Sequence, residues 1–159
     1  MIMNLNLKNI SILLLSLFMI ACGFQLRGSI NADFESIAIY GGSEGLNKHL
    51  SKRFKQAGIK VDSNEPEKTL EILSDKLNKR ILSLNSAGAV KEYEIIYFVT
   101  YRFKSINKSW SNEIKKEVVR DYTYDDNDRV AKELEEKKLV QGMRDEVVRS
   151  IVSIISTSD

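Results

Sequence analysis

Few side chains in this sequence have a type and spacing that would support catalysis. The only cysteine, Cys22, ends an apolar run, and the only histidine, His49, has no second histidine or cysteine at a metal-binding spacing. A single cysteine also has no disulfide partner within the chain. These observations predict that the protein is not an enzyme and has no metal ion or cofactor. An enzyme that uses a pair of carboxylates stays open as an alternative, because such a pair has no fixed spacing in sequence.

Two polar stretches look like ligand loops but lack residues that those loops need. Gly41–Gly45 (GGSEG) has no Lys-Ser/Thr ending for phosphate binding, and Asp125–Asp128 (DDND) lacks the glycine and the distal glutamate of a calcium loop. The first stretch is more typical of a turn between a strand and a helix. The second is typical of the start of a helix, where backbone N–H groups attract acidic side chains.

The segment before Cys22 has the pattern of an export signal. One basic residue, Lys8, precedes 12 predominantly apolar residues from Ile10 to Ala21. A helix that spans a bilayer needs about 20 such residues. The apolar part of a signal peptide has roughly 7–15 and is followed by a cut at a small residue. The sequence therefore predicts that residues 1–21 are a signal peptide.

The residues that end this segment, Met19-Ile20-Ala21-Cys22, resemble the lipobox of bacterial lipoproteins, in which leucine is usual where Met19 stands. In that motif the cysteine accepts a diacylglyceryl group before the signal is cut. The resemblance implies that Cys22 becomes the lipidated first residue. Gly23 replaces the aspartate that retains such proteins in the inner membrane, which implies an outer-membrane protein on the periplasmic side. The alternative is a buried structural cysteine, since free cysteine is often buried.

The chain from Cys22 onward has a length that suits one domain. It comprises 138 residues, of which 22–35 are predicted to form the lipidated N-terminus and a polar connector, and 36–157 the single domain. The 24 basic and 22 acidic residues of the whole sequence nearly balance. The overall charge therefore gives no signal for nucleic-acid binding.

The hydrophobic pattern predicts an α+β fold with the element order β-α-β-β-β-α. The short turns between the last three strands predict an antiparallel meander in a sheet of about four strands. Two amphipathic helices on one face of that sheet would make a two-layer sandwich. The predicted strands cover residues 36–40, 69–84, 90–103 and 113–124, and the predicted helices cover 44–57 and 125–155.

Alternation in the strand at 90–103 separates a core face from a surface face. Ile96 and Phe98 lie on the surface face, where an exposed apolar pair often marks a partner surface. The alternative is that a loop covers them. The predicted core face carries Tyr93, Ile95, Tyr97, Val99, Tyr101 and Phe103, and the predicted buried stripe of the closing helix includes Leu134, Val140, Met143, Val147, Ile151 and Ile154.

Three stretches of the chain resemble the LptE family of lipopolysaccharide-assembly lipoproteins. Cys22–Gly28 (CGFQLRG) is similar to the mature start of that family, and Ala87–Ile95 (AGAVKEYEI) is similar to its turn and alternating strand. Arg120–Val152 is similar to its last strand and closing helix. The positions that match the closing-helix pattern are Ala131, Glu135, Met143, Arg144 and Asp145.

This resemblance implies a non-enzymatic outer-membrane lipoprotein with two partners. Such proteins bind lipopolysaccharide and fill the lumen of a large β-barrel, LptD, in a 1:1 complex that they help to assemble. The barrel wall is then the candidate partner of Ile96 and Phe98, and the only attached group is the covalent lipid on Cys22. The alternative is an outer-membrane lipoprotein that regulates a periplasmic cell-wall synthase.

Four basic residues are the candidate contacts for the phosphates of lipopolysaccharide. In an antiparallel meander the turn at 85–89 and the start of the closing helix lie at the same end of the sheet. Arg80, Lys91, Arg129 and Lys132 are therefore expected to gather there and to form charge-assisted hydrogen bonds with phosphate. The alternative is ordinary solvated charge, partly neutralised by the nearby aspartates of the sequence DDND.

Overall fold

The computed structural model of the protein describes residues 32–158. The predicted signal peptide, Cys22 and most of the predicted connector lie outside these residues. Within the described part of the chain, no helix combines the length and the apolar character needed to cross a membrane.

The structure confirms an α+β sandwich with both helices on one face of one sheet. The sheet has five strands rather than about four, in the order β2-β1-β3-β4-β5. It is mixed, because β1 pairs in parallel with both β2 and β3. The elements are β1 (Ser36–Gly41), α1 (Glu44–Gln56), β2 (Lys60–Val61), β3 (Lys68–Leu84), β4 (Val90–Ser105), β5 (Ile114–Thr123), a 3₁₀ turn (Asp126–Asp128) and α2 (Arg129–Thr157).

The differences from the predicted sheet have local causes. Strand β2 has two residues, which is too short for a hydrophobic alternation to reveal. Helix α1 carries the chain back to the starting end of β1, so the next two strands, β2 and β3, run parallel to β1. Strands β3, β4 and β5 form the predicted antiparallel meander. Strand β3 has register shifts next to Leu73 and Leu82, which explains its imperfect alternation.

One face of β4 forms the centre of the hydrophobic core, as predicted. Tyr97 and Tyr101 are each no more than 1% exposed beneath the helices. Burial raises the pKa of Tyr101 to about 12, because the apolar surroundings disfavour a phenolate. Fully burying a large apolar side chain stabilises a fold by roughly 1.5–3 kcal/mol. The other buried residues of this face are Ile95, Val99 and Phe103, whereas Tyr93, predicted to be among them, is half-buried.

Helix α1 begins at the predicted residue, Glu44, and ends at Gln56, one residue before the predicted end. The Ser43 hydroxyl accepts a hydrogen bond from the backbone N–H of Leu46 at 3.2 Å, which caps the helix. The Ser43 backbone N–H donates to Asp75 of β3 at 3.0 Å, so the cap is also tied to the sheet. The turn before the cap needs glycine at position 41, where φ is +71° and an added Cβ would lie 2.3 Å from the carbonyl oxygen of Ile72.

Helix α2 is buried mainly along its second half. The prediction of a buried Leu134 was wrong, since this side chain is 55% exposed. At 3.6 residues per turn, Leu134 lies about 200° around the helix from Glu136, which contacts the sheet. The buried residues of the helix are Met143, Val147, Val148, Ile151, Val152, Ile155 and Ser156, whereas Val140 and Ile154, also predicted to be buried, are half-buried.

The C-terminal end of α2 is fixed by a buried lysine from the sheet. Lys68, the first residue of β3, donates from Nζ to the carbonyl oxygens of Ile155, at 2.9 Å, and of Ser158. These hydrogen bonds satisfy carbonyl groups at the end of the helix that have no partner within the helix. They also place a positive charge at the negative end of the helix dipole.

Candidate functional site

The tip of the sheet consists of the β3–β4 turn (residues 85–89), the end of β5 and the first turns of α2. The backbone N–H of Tyr124 donates to the carbonyl oxygen of Lys91 at 2.8 Å, which places the end of β5 beside the start of β4. Lys132 of α2 reaches the hydroxyl of Thr123 at 3.3 Å. The structure therefore brings Lys91, Lys132 and the first residue of α2, Arg129, to one end of the sheet, as the meander predicts.

The turn at the tip is held by one side chain. Asn85 Oδ1 accepts hydrogen bonds from the backbone N–H groups of Ala87 and Ala89, both at 3.0 Å. Gly88 adopts φ +80°, a conformation that favours glycine. These local bonds give the turn a fixed shape even though its residues are exposed.

The structure separates Arg80 from the other three basic candidates. Arg80 pairs in register with Glu94, and its Nε lies 2.7 Å from Glu94 Oε2. Glu94 lies between two core residues of β4, Tyr93 and Ile95, so it points to the opposite face of the sheet. Arg80 therefore lies on the surface face of the sheet, away from α2.

Carboxylates neutralise part of the charge at the tip. Lys132 Nζ lies 2.9 Å from Glu135, and Arg129 Nε lies 3.9 Å from Glu133. Lys91 has no ion pair with any residue in the described range 32–158. The concave surface at the start of α2, about 630 Å³ in volume, is lined by Asp126, Asp128 and Arg129 among others. The tip is thus a surface of mixed charge rather than a uniformly basic one.

A polar network holds the first half of α2 against the sheet. Glu136 Oε2 accepts hydrogen bonds from Lys79 Nζ of β3 at 2.6 Å and from the Tyr122 hydroxyl of β5 at 2.5 Å. The Lys79 ammonium also lies 4.0 Å from the centre of the Tyr93 ring, a cation–π contact. Burial alone would raise the pKa of Glu136, but the hydrogen bonds from Lys79 and Tyr122 outweigh it and lower that pKa.

Sequence reasoning missed this network because its members lie far apart along the chain. Lys79 and Glu136 are separated by 57 residues, and each looks like ordinary surface charge in its own segment. One feature pointed to this network. Lys79 lies on the face of β3 that points toward the core, in register with Ile95 of β4. A lysine on the inward face of a strand needs a charged or aromatic partner.

Ile96 and Phe98 lie on the surface face of the sheet and are half-buried. Ile96 is in register with Val119 of β5, which is 39% exposed and extends the apolar spot. Further along the same face, the Arg102 guanidinium stacks on Trp110 with 4.6 Å between its carbon and the ring centre. We call Ile96, Phe98 and Val119 the outer apolar spot.

Among residues 32–158, no cluster of three or more histidine, cysteine, aspartate or glutamate side chains could hold a metal ion. His49 makes one polar contact, from Nδ1 to Asp145 at 2.8 Å.

The comparisons with known proteins agree with this geometry. The family model described as “LptE: Lipopolysaccharide-assembly” matches residues 32–155. No curated protein matches the chain.

Several solved structures are similar to this chain. Rare lipoprotein B from Shewanella oneidensis is 27% identical with a TM-score of 0.68, over 77% of this chain and 95% of that one. An uncharacterized lipoprotein B from Nitrosomonas europaea is 26% identical with a TM-score of 0.71, over 84% of this chain and 90% of that one. A minor lipoprotein from Acinetobacter baumannii, 16% identical with a TM-score of 0.60 over 79% and 92%, shares the fold.

The Glu136 network predicts an acid-sensitive contribution to stability. A carboxylate whose pKa is lowered in the folded state stabilises above its unfolded pKa, and this stabilisation is lost as the pH falls through the folded value. Because Lys79 and Glu136 are 37% and 28% exposed, solvent screening limits the contribution to about 1 kcal/mol. We expect Glu136→Gln to lower the free energy of unfolding by this amount near neutral pH and by much less at about pH 3.

Urea unfolding at the two pH values measures this difference. Glu133→Gln is the matched control, because Glu133 lies on the same helix, is 60% exposed and approaches Arg129 only at 3.9 Å. An equal loss of stability for Glu136→Gln at both pH values would contradict an electrostatic role for the network.

Proposed function

This chain belongs to the LptE lipopolysaccharide-assembly family, and from that membership we propose that it is an outer-membrane lipoprotein that binds lipopolysaccharide and occupies the lumen of the LptD β-barrel. The family is non-enzymatic. The observation that carries the proposal is the family match over residues 32–155, nearly all of the described domain. This match favours lipopolysaccharide assembly over regulation of a cell-wall synthase.

The proposed anchor is the lipidated Cys22, which lies outside the described residues. In this proposal residues 1–21 are removed and residues 22–35 connect the lipid to the domain. Phe34 is already buried in the core, so the free tether runs from Cys22 to Asp33 and, if fully extended, reaches at most about 40 Å. The tether is therefore long enough for the domain to enter a neighbouring barrel while the lipid stays in the membrane.

The proposed contact with the barrel wall is the outer apolar spot. A sheet face that carries Ile96, Phe98 and Val119 between charged ends offers apolar area that water disfavours. The helices cover only the opposite face, so this face is accessible to a partner. Docking it against a barrel wall would remove that area from water and stabilise the complex.

The proposed contact with lipopolysaccharide is the tip, through Lys91, Arg129 and Lys132. Lys91 has no counter-charge within residues 32–158, and the other two are held by partly exposed glutamates that a phosphate can displace. Arg80 is proposed to contribute from the other face of the hairpin, where only Glu94 engages it.

The anchor is tested with Cys22→Ser. We expect this variant to accumulate as a larger precursor without a fatty-acid label, because serine has no thiolate to accept the diacylglyceryl group. Metabolic labelling with palmitate followed by electrophoresis reads out both changes against the wild-type protein. Label retained on the variant would rule out Cys22 as the anchor.

The barrel contact is tested by introducing negatively charged residues into the outer apolar spot. Ile96→Asp with Phe98→Asp should abolish most co-purification of LptD from membranes, since a barrel contact would bury two unpaired carboxylates. Val130→Asp with Leu134→Asp is the matched control, because these apolar residues of α2 are 79% and 55% exposed. Circular dichroism verifies that both variants fold. Undiminished LptD in the first variant would remove this surface from the proposal.

The lipopolysaccharide contact is tested by reversing two exposed charges at the tip. Lys91→Glu with Arg129→Glu should weaken lipopolysaccharide binding at low salt by about tenfold or more, since a hydrogen bond to a charged group contributes about 1.5–3 kcal/mol. The difference from wild type should shrink at high salt, where charges are screened.

The control for this variant reverses the same number of charges elsewhere on the domain. Lys60→Glu with Lys108→Glu fits this purpose, because both lysines are exposed, one in β2 and the other in the β4–β5 connection. Wild-type affinity of the tip variant at low salt would exclude the tip as the binding site. It would leave the proposed barrel contact intact.

A further inference from the structure

A groove runs between the two helices on the side of the domain away from the sheet. We call it the helix groove; it has a volume of about 640 Å³, and its charged lining residues are Lys48, His49, Lys52, Arg53, Asp145 and Arg149. A volume of this size is typical of sites for small ligands or for parts of larger ones. Four of these side chains carry a permanent positive charge and one carries a negative charge.

The positive charges of the helix groove are not engaged in ion pairs among the described residues. Lys48, Lys52, Arg53 and Arg149 make no ion pair with any residue in the described range 32–158. Lys48 and Lys52 are four residues apart on α1, a spacing at which like charges destabilise a helix. The domain thus carries an unfavourable cluster of charge that an anion would relieve.

The arginines of the domain differ in whether they have an acidic partner. Arg80, Arg102, Arg120 and Arg129 each lie within 4 Å of a glutamate oxygen. The three described arginines without such a partner, Arg53, Arg144 and Arg149, all lie on α1 and α2. Arg53 Nε, in the groove lining, is also buried with no hydrogen-bond partner among residues 32–158. A buried guanidinium N–H that has no acceptor lowers the stability of the fold, and an acceptor on a bound ligand would remove this cost.

The one carboxylate among the charged lining residues is engaged elsewhere. Asp145 and Arg149 have the four-residue spacing that favours an ion pair, yet they do not approach within 4 Å. Asp145 Oδ1 instead lies 2.8 Å from His49 Nδ1. The Asp145 carboxylate is therefore oriented toward the histidine, and against four cations it leaves the groove lining with an excess of positive charge.

We propose that the helix groove is a binding site for a phosphate group, either free or on a lipid headgroup. Phosphate matches the cluster because it carries up to two negative charges and several acceptor oxygens, and arginine can meet it with two parallel hydrogen bonds. The lipid form of the ligand rests on the function proposed above. The groove differs from the tip, where carboxylates already engage Arg129 and Lys132.

The experiment compares two neutralised variants of the full-length lipidated protein in detergent. The groove variant is Lys52→Gln with Arg149→Gln. The control variant is Lys55→Gln with Lys138→Gln, which removes the same charge from exposed positions on the same helices, outside the groove lining. All four side chains are exposed, so both variants should keep the fold, which circular dichroism verifies.

Three probes are used at low salt: inorganic pyrophosphate, lipopolysaccharide and enzymatically dephosphorylated lipopolysaccharide. We expect the groove variant to bind pyrophosphate about tenfold or more weakly than the control variant does, because two charge-assisted donors are lost. A parallel loss for lipopolysaccharide but not for its dephosphorylated form would identify the lipid as a source of the phosphate. A loss for pyrophosphate alone would identify a site for free phosphate.

Equal binding of pyrophosphate and of lipopolysaccharide by the groove and control variants would overturn the proposal. Binding of pyrophosphate in the helix groove requires neither the tip nor LptD, and the groove and control variants have the same tip. A failure of the tip variant or of LptD co-purification therefore bears on the proposed function and not on the helix groove.

Discussion

The structure depends on the burial of one face of β4. This strand lies between β3 and β5, and every second side chain from Ile95 to Phe103 is buried beneath the helices. With roughly 1.5–3 kcal/mol for each large apolar side chain, these five residues supply a large share of the stabilisation that folding requires. Because strand side chains alternate between two faces, burying this set leaves the intervening residues on the other side of the sheet.

The two helices that cover this face differ in length, and the difference creates the tip. At 1.5 Å per residue, the 13 residues of α1 span about 20 Å and the 29 residues of α2 about 44 Å. Gly45, near the start of α1, lies beside Arg144 in the second half of α2. The first half of α2 is held by Glu136 and the last turn by Lys68, so polar contacts fix the long helix at both ends.

Charge is distributed unevenly between the two sides of the sandwich. On the sheet side, Arg80 and Arg102 each have a glutamate partner on the neighbouring strand, and the Ile96–Phe98 pair lies between them along β4. On the helix side, Arg53 and Arg149 have no such partner among the described residues. The domain thus presents an apolar face with paired charges on one side and an unpaired basic groove on the other. The apolar face is suited to contact with another protein, and the basic groove is suited to binding an anion.

The sequence by itself determined several features that depend on neighbours along the chain. The alternation of Tyr93 to Phe103 determined which face of β4 is buried, and Ser43 determined the start of α1. The motif residues from Arg120 to Val152 supported the family resemblance that the comparisons confirmed.

Tertiary structure alone decided what depends on residues distant in sequence. Arg80 lies on the face of the sheet opposite α2, and Leu134 is exposed to solvent. Lys79 forms an ion pair with Glu136, which is 57 residues away in the sequence. The fold also brings the cations of α1 beside Arg149. Hydrophobic periodicity specifies which side of an element is buried, but the partner of a charged side chain depends on how the elements pack together.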